Sequence, residues 1–291
     1  MCIIFSKMQA LGNHFIILEK KNLPLCVNIA GLSTNMCNKH FGAGAEGLLI
    51  IDVNEQNYPT MDMYNPDGRK SACGNGLACA AYYIYHCKLI QNKEFDIESE
   101  NGLSHVSIET ESDNTIISVD INLGHPHFEK EKIPYIPSNP NKPPPYLYES
   151  VEIENISFDF AVTSIGNPHL VVFVSKNQKQ PLDILIKKFG ESLSKLSCFP
   201  EQSNVEMIQV VNNQEINVRV WERGVGVTLA CGTGAAAATV VSTLRGYIKD
   251  YAQINYSKGY VISKYKMDEG VVMTYAAKNI KIIYKGEYFL N

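Results

Sequence analysis

Short runs in which apolar and polar residues alternate dominate this chain, the period-two pattern of strands with one face in a core. In the first half, Cys2–Phe5, Phe15–Glu19, Leu48–Val53, Phe95–Ser99, Leu103–Glu109 and Thr115–Ile121 read as strands. In the second, Asp159–Ser164, Leu170–Ser175, Val205–Val211 and Glu215–Glu222 do. Two stretches break the alternation. Gly74–His86 is nearly free of charge, and the run from Gly232 to about Leu244 is almost wholly apolar. A helix apolar on every side has no face for water, so both are expected to be buried. Each half therefore reads as a mostly antiparallel sheet wrapped around a central helix, an α+β fold of two pseudo-symmetric domains. The run Pro134-Tyr-Ile-Pro137-Ser-Asn-Pro140-Asn-Lys-Pro143-Pro-Pro145 is stiff and cannot continue a sheet, so it is placed as a loop near the junction. The boundary is set just before it, giving an N-terminal domain 1–127 and a C-terminal domain 128–279. A final strand within 280–291, strongest over Ile280–Tyr284, could pair back with the N-terminal half or with the other.

The two halves also repeat a motif. Asp62-Met-Tyr-Asn65-Pro-Asp-Gly68-Arg-Lys-Ser-Ala-Cys73-Gly-Asn-Gly76 is answered by Val220-Trp-Glu222-Arg223-Gly-Val-Gly226-Val-Thr-Leu-Ala-Cys231-Gly-Thr-Gly234. Upstream, Leu11-Gly12-Asn13 precedes Cys73 much as Ile165-Gly166-Asn167 precedes Cys231. A cysteine at a helix start faces unsatisfied N–H groups and the positive end of the helix dipole, which favours thiolate and is expected to bring its pKa down toward neutrality. The flanking glycines let backbone amides approach a carboxylate. One such copy is equally well read as a tight turn with a space-filling cysteine. Two copies at equivalent places favour chemistry on the two faces of one carbon.

Composition narrows the partners. The chain has 291 residues, 45% of them hydrophobic and 19% charged, enough for two ordinary cores. A net charge of −4 with scattered cations supplies no footprint for nucleic acid, so a small-molecule partner is expected. No apolar run approaches the ~18 residues of a membrane span, and the start, Met1-Cys-Ile-Ile-Phe-Ser-Lys-Met, is interrupted too soon for a secretory signal. A cytoplasmic protein is expected, without membrane association. The other cysteines, Cys2, Cys26, Cys37, Cys79, Cys87 and Cys198, read as small buried hydrophobes. The histidines show no paired spacing with cysteine, so no metal site is expected, and His125-Pro-His127 reads as an exposed turn.

At these residues the chain resembles the diaminopimelate epimerases, cofactor-independent members of the amino-acid racemase superfamily. The resemblance rests on five motifs spread over nearly the whole length. They are Lys7-Met8-Gln-Ala-Leu-Gly12-Asn13, Tyr64-Asn65-Pro-Asp67-Gly68 with Cys73-Gly-Asn-Gly76, Ile165-Gly166-Asn167-Pro168-His169, Phe199-Pro200-Glu201 with Asn204-Val205, and Trp221-Glu222-Arg223-Gly224 with Ala230-Cys231-Gly-Thr-Gly234. The resemblance implies that Cys73 and Cys231 are the acid/base pair, one taking the α-proton as thiolate and the other returning a proton to the opposite face. It implies that Asn13, Gly74, Asn75, Gly232 and Thr233 hold the α-amino and α-carboxylate groups, and that Glu222 and His169 orient the α-ammonium and support the cysteines. Asn65, Asn167, Asn204 and Arg223 would bind a distal carboxylate, Arg223 through a charge-assisted fork. The active site is then expected in the cleft between the halves, with no cofactor, LL-diaminopimelate as substrate and meso-diaminopimelate as product. A homodimer stays open.

The chain departs from the family's usual pattern at several positions. His14 and Glu46 stand where aspartates are usual, Ala78 where arginine is, and Gly47 and Val227 where other side chains are common. The first three lie at the proximal end of the implied site or behind it. They leave room for a racemase of the same fold acting on another amino acid, histidine among them. A third reading, not enzymatic, is a carboxylate- or phosphate-binding module or a thiol switch built on Cys73 and Cys231.

Overall fold

A computed structural model describes residues 2–56 and 58–290 of the chain. The chain divides into two compact units, Met1–Asn122 with Thr274–Asn291, and Leu123–Met273. The division falls after Asn122 rather than at the His127 boundary read from the sequence. Leu123 N–H already donates to the carbonyl of Val271, and His127 forms a bridge with Ser164, so this segment is hydrogen-bonded into the second unit. The last strand, Ile280–Phe289, lies antiparallel to Cys2–Ala10 in the first unit.

In the first unit, Cys2–Ala10 turns through Leu11 and Gly12 into the antiparallel strand Asn13–Glu19. Leu11 and Gly12 have φ of 52° and 88°, the left-handed pair that a two-residue hairpin needs, and this explains the glycine of the first motif. Asn13–Glu19 runs parallel to Gly47–Val53, with the first helix, α1 (Ile29–Cys37), as the crossover that a parallel pair requires. Gly47–Val53 pairs antiparallel with Pro59–Tyr64, which meets Glu94–Ser99 in parallel across a second helix, α2 (Gly74–His86). Glu94–Ser99, Gly102–Thr110 and Ile116–Asn122 close the unit as an antiparallel meander.

The second unit repeats this order. Ile156–Ser164 and Pro168–Phe173 form the hairpin, Gly166 taking φ 83°. The helix α3 (Leu182–Ser194) crosses to the parallel partner Asn204–Asn212, followed by the antiparallel Glu215–Glu222. The helix α4 (Gly232–Leu244) then precedes Tyr251–Tyr256, which is parallel to Glu215–Glu222. Both parallel contacts of the first unit thus recur at equivalent places, so the repeat extends from the two cysteine motifs to the whole topology.

The composition of α2 and α4 explains their position. Gly74 to Ala81, Tyr83 and Ile84 of α2 are buried, as is every residue of α4 from Gly232 to Ser242. Alanine favours helix and leaves the cylinder slim, so strands pack around it on several sides. The same strands bury their outer faces under α1 and α3. Ile16 and Leu18 join Leu32 and Met36, while Leu170 and Val172 join Leu185 and Phe189. Strands covered on both faces read as continuous apolar runs, as Phe15-Ile-Ile-Leu18 and Leu170-Val-Val172 do.

The proline-rich stretch is more than a surface loop. Tyr135 within it, and Ile133 and Tyr146 at its two ends, insert into the core of the second unit. Arg245, at the end of α4, donates from Nε to the Leu147 carbonyl (2.7 Å), forks onto both carboxylate oxygens of Asp159, and stacks 3.8 Å from the Phe173 centroid. The expectation that the remaining cysteines are buried holds for Cys37 and Cys79, while Cys87 and Cys198 are only half-buried. Cys2 and Cys26 are exposed, because one faces outward at a strand end and the other lies in the loop before α1. Among the described residues, no helix is long and apolar enough to cross a membrane.

Candidate active site

Cys73 and Cys231 are the N-caps of α2 and α4, each with extended backbone (φ −153° and −134°). Each sulfur accepts the N–H three residues on, Cys73 Sγ from Gly76 at 3.4 Å and Cys231 Sγ from Gly234 at 3.3 Å. The thiols therefore take the place of the serine or threonine oxygen that usually caps a helix. The amides of the first turn, Gly74 and Asn75 in one unit and Gly232 and Thr233 in the other, point along the same direction as the capped N–H.

In the first unit the implied ligands are linked to one another. Asn75 Nδ2 donates to Asn13 Oδ1 at 2.6 Å, and the hydroxyl of Tyr275, almost completely buried, donates to Asn75 Oδ1 at 3.1 Å. Tyr275 lies some two hundred residues away in sequence, so no local signal marks it as a support for this pair. Asn65 follows strand Pro59–Tyr64 and opens a tight turn, its carbonyl accepting from Gly68 N–H (2.9 Å) and the Ser33 hydroxyl (2.8 Å). Lys7 is held by the carbonyls of Ala43 and Gly44, and burial lowers its pKa. The unusual residues His14 and Glu46 prove to be neighbours. Glu46 N–H donates to the His14 carbonyl at 2.8 Å, and the Glu46 carboxylate accepts from His14 N–H. Both stand beside Asn13.

The second unit gathers the remaining candidates at neighbouring strand ends. His169 pairs with Asn204 across the parallel ladder, and Val205 with Trp221 in the next, which sets Glu222 and Arg223 beside Asn204. Asn204 Oδ1 accepts Arg223 N–H at 2.9 Å, and its Nδ2 donates to the Pro168 carbonyl at 3.1 Å. Arg223 Nη1 donates to the Glu201 carbonyl at 3.1 Å. Glu222 accepts the Thr228 hydroxyl at 2.5 Å, and Thr233 Oγ1 lies 3.4 Å from Cys231 Sγ. His169 has no solvent exposure, and both its ring nitrogens are engaged, Nδ1 with Glu206 Oε1 and Nε2 with Asn167 Oδ1, each at 2.8 Å. Glu206 escaped the sequence reading although it is the one acid in an apolar strand, and it too has no exposure.

The expectation of a depressed thiol pKa fails at Cys231. Burial raises it well above the ordinary value, and the negative charges of Glu222 and Glu206 raise it further. The Thr233 hydroxyl and the Gly234 N–H pull the other way but are outweighed. A helix start favours thiolate only while water or cations share the load. Here desolvation and two carboxylates win.

The equivalent glycines of the two motifs face different neighbours. A Cβ at Gly234 would lie 2.5 Å from Glu206 Oε1, whereas one at Gly76 would lie 3.3 Å from Leu49 Cδ2. Gly234→Ala is expected to destabilise the protein by about 1–3 kcal/mol, the usual cost of overpacking. Gly76→Ala meets a side chain able to shift and gains helix propensity, so a change within about 1 kcal/mol is expected. Urea unfolding midpoints of the two variants check the contrast; equal losses would mean that Glu206 does not press on α4. Among the described residues, no group of three or more His, Cys, Asp or Glu is placed to hold a metal ion.

The doubled unit, a sheet wrapped around a central helix in each half, is a known fold. A hydroxyproline epimerase from Agrobacterium vitis shares it with TM-score 0.66 at 13% identity, over 98% of this chain and 92% of that one. A phenazine biosynthesis PhzF-family protein from Enterococcus faecalis shares it with TM-score 0.67 at 12% identity, over the full length of both. Sequence comparison is more specific. The diaminopimelate epimerase family model matches residues 5–128 and 161–280. The diaminopimelate epimerase of Caldanaerobacter subterraneus subsp. tengcongensis is 33% identical over 284 residues, 97% of this chain and 98% of that protein. That of Bacillus cereus is 37% identical over 245 residues, 83% of this chain and 82% of that protein. The chain belongs to the diaminopimelate epimerase family, and it is an isomerase of the epimerase class.

Proposed function

We propose that this protein interconverts LL- and meso-diaminopimelate by a two-base, cofactor-free reaction at Cys73 and Cys231, a step that serves lysine and cell-wall precursor synthesis. The observation that carries this reading is the pair of thiol N-caps, each at the same turn of the same repeated unit. One thiolate removes the α-proton, and the thiol of the other cysteine returns a proton to the opposite face. At any moment the pair carries a single proton to give. The carbanion that develops at the α-carbon is stabilised by helix-start amides around the α-carboxylate, since charge that forms only in the transition state is best met by donors already in place. Asn13 and Asn75 serve the proximal groups with Gly74, Gly232 and Thr233, while Glu222 attracts the α-ammonium. Asn65, Asn167, Asn204 and Arg223 receive the distal carboxylate. His169 acts through Asn167 and Glu206, because both ring nitrogens are already bonded.

Solvent exchange tests the reading. In heavy water, LL-diaminopimelate is expected to gain deuterium at the inverting α-carbon, and the meso form to do so in reverse. In a panel of amino acids in the same assay, diaminopimelate should be turned over fastest. If histidine or another amino acid lacking a distal carboxylate exchanges faster, the protein is a racemase of the same fold, and His14, Glu46 and Ala78 become the first residues to examine. No exchange with any amino acid would leave only the binding-module reading.

A further inference from the structure

Glu206 is the feature that the family resemblance leaves without a role. It is the third residue of Asn204–Asn212, where the neighbours Val205, Met207 and Ile208 are all core residues. Its Oε1 binds His169 Nδ1 at 2.8 Å, and among the described residues its Oε2 has no hydrogen-bond partner. A buried carboxylate with an oxygen left unbonded is costly, so its presence here calls for a use. The repeat shows what the position is for. The parallel ladders align Phe15 with Gly47 in one unit and His169 with Asn204 in the other, which makes Leu49 the counterpart of Glu206 and Phe15 that of His169. Both positions abut the same point, the third residue of a cysteine-capped helix: Leu49 under Gly76 and Glu206 under Gly234. One half therefore places two apolar side chains where the other places an acid and an imidazole.

We infer that Glu206 is a positioning residue of the Cys231 half-site, holding the His169 ring against Asn167 and setting its carboxylate against the first turn of α4 that Cys231 caps, so that this thiol waits as the proton donor. The inference rests on the two-base reading for its consequence in catalysis, though not for its geometry. The glycine at position 234 is what makes the arrangement fit, since any Cβ there would strike the carboxylate. Through His169, the same carboxylate reaches the Asn167 amide, so the device links the acid thiol to a residue proposed to hold the distal end of the substrate. Among the described residues, the carboxylates whose charge bears on Cys231 are Glu222 and Glu206. His169 is bonded to the second of these, and the Tyr256 hydroxyl is bonded to the Cys231 carbonyl. Removing the charge of Glu206 alone should therefore ease ionisation of Cys231 without eliminating the effect of Glu222.

The test is a pH titration of the full-length protein carrying 13Cβ-labelled cysteine, in which the resonance of each thiol reports its own ionisation. In the wild type the Cys231 midpoint is expected above the ~8.5 of an ordinary cysteine. In Glu206→Gln it should fall by about one pH unit, the effect of losing a nearby like charge, while the Cys79 resonance on α2 stays in place. Glu206→Leu, which copies the other half, should move it in the same direction and serves if the Gln variant does not fold. A wild-type midpoint below ~8.5, or an unmoved Cys231 midpoint in a folded variant, overturns the inference. The kinetic arm separates positioning from general damage. At saturating substrate, Glu206→Gln should change the ratio of initial exchange rates from the LL and meso isomers, whereas a merely structural loss lowers both alike. Absence of α-proton exchange in the wild type would remove the proposed function but leave the titration result standing.

Discussion

Replacing either Cys73 or Cys231 by serine is expected to lower epimerisation in both directions by at least ~10³-fold, within the range that a lost general acid or base costs. A serine hydroxyl is far too weak an acid to reside as an alkoxide at neutral pH, and it holds its proton where a thiol would yield one. Stability should hardly change. Each sulfur caps a helix through one long bond to a glycine N–H, and serine is a better cap than cysteine. Thermal melting therefore provides the control, and solvent exchange from each isomer provides the readout. Near-normal turnover in both directions by either folded variant would refute the two-cysteine assignment. The two variants should also differ from one another, because Cys231 is buried beside Glu222 and Glu206 whereas Cys73 is half-buried.

Arg223→Met carries the second large effect and tests the class of substrate. The backbone of Arg223 is fixed by Asn204, and Nη1 rests on the Glu201 carbonyl with the Glu201 carboxylate 3.9 Å away, which keeps the planar fork at the strand end that carries Asn204. If a distal carboxylate docks there, removing the guanidinium strands a desolvated charge, at a cost of about 2–5 kcal/mol. A fall in kcat/KM of about 10³-fold for diaminopimelate is expected, since each 1.4 kcal/mol is a decade. The loss should appear in kcat as well as KM, because binding energy at a remote end helps to position the reacting one. Arg223→Lys keeps the charge but loses the bidentate geometry and should fall in between. A monocarboxylic amino acid should be almost indifferent to either change. Equal losses for both kinds of substrate would show that Arg223 supports the fold rather than the distal group.

Much of the architecture was legible because it is dictated locally. The absence of charge in Gly74–His86 and Gly232–Leu244 marks buried helices whatever surrounds them, and both are there. The hairpin glycines and the strand alternation are equally local. The helices α1 and α3 escaped notice. The first spans only nine residues, and its Ser, Thr and Asn are weak helix formers; its clearest signal is the Asn28 cap on Gly31 N–H. The second did carry a readable stripe, Leu182, Leu185, Ile186, Phe189 and Leu193, all of it turned into the core.

At the site the same distinction holds. By itself the sequence determined that two cysteines cap two buried helices at glycine-rich turns, because capping involves residues three apart and the repeat identifies both copies. The tertiary structure alone decided how those thiols behave. His169 and Glu206 stand 37 positions apart, and only the parallel register between Pro168–Phe173 and Asn204–Asn212 makes them partners. Leu49 and Glu206 look unrelated until the ladders superimpose the halves. The pKa of Cys231 likewise follows from burial and from distant carboxylates, which overcome the helix-start effect that the sequence suggests. Local geometry is written in neighbouring residues, whereas desolvation and charge are properties of whatever the folded chain brings to the same place.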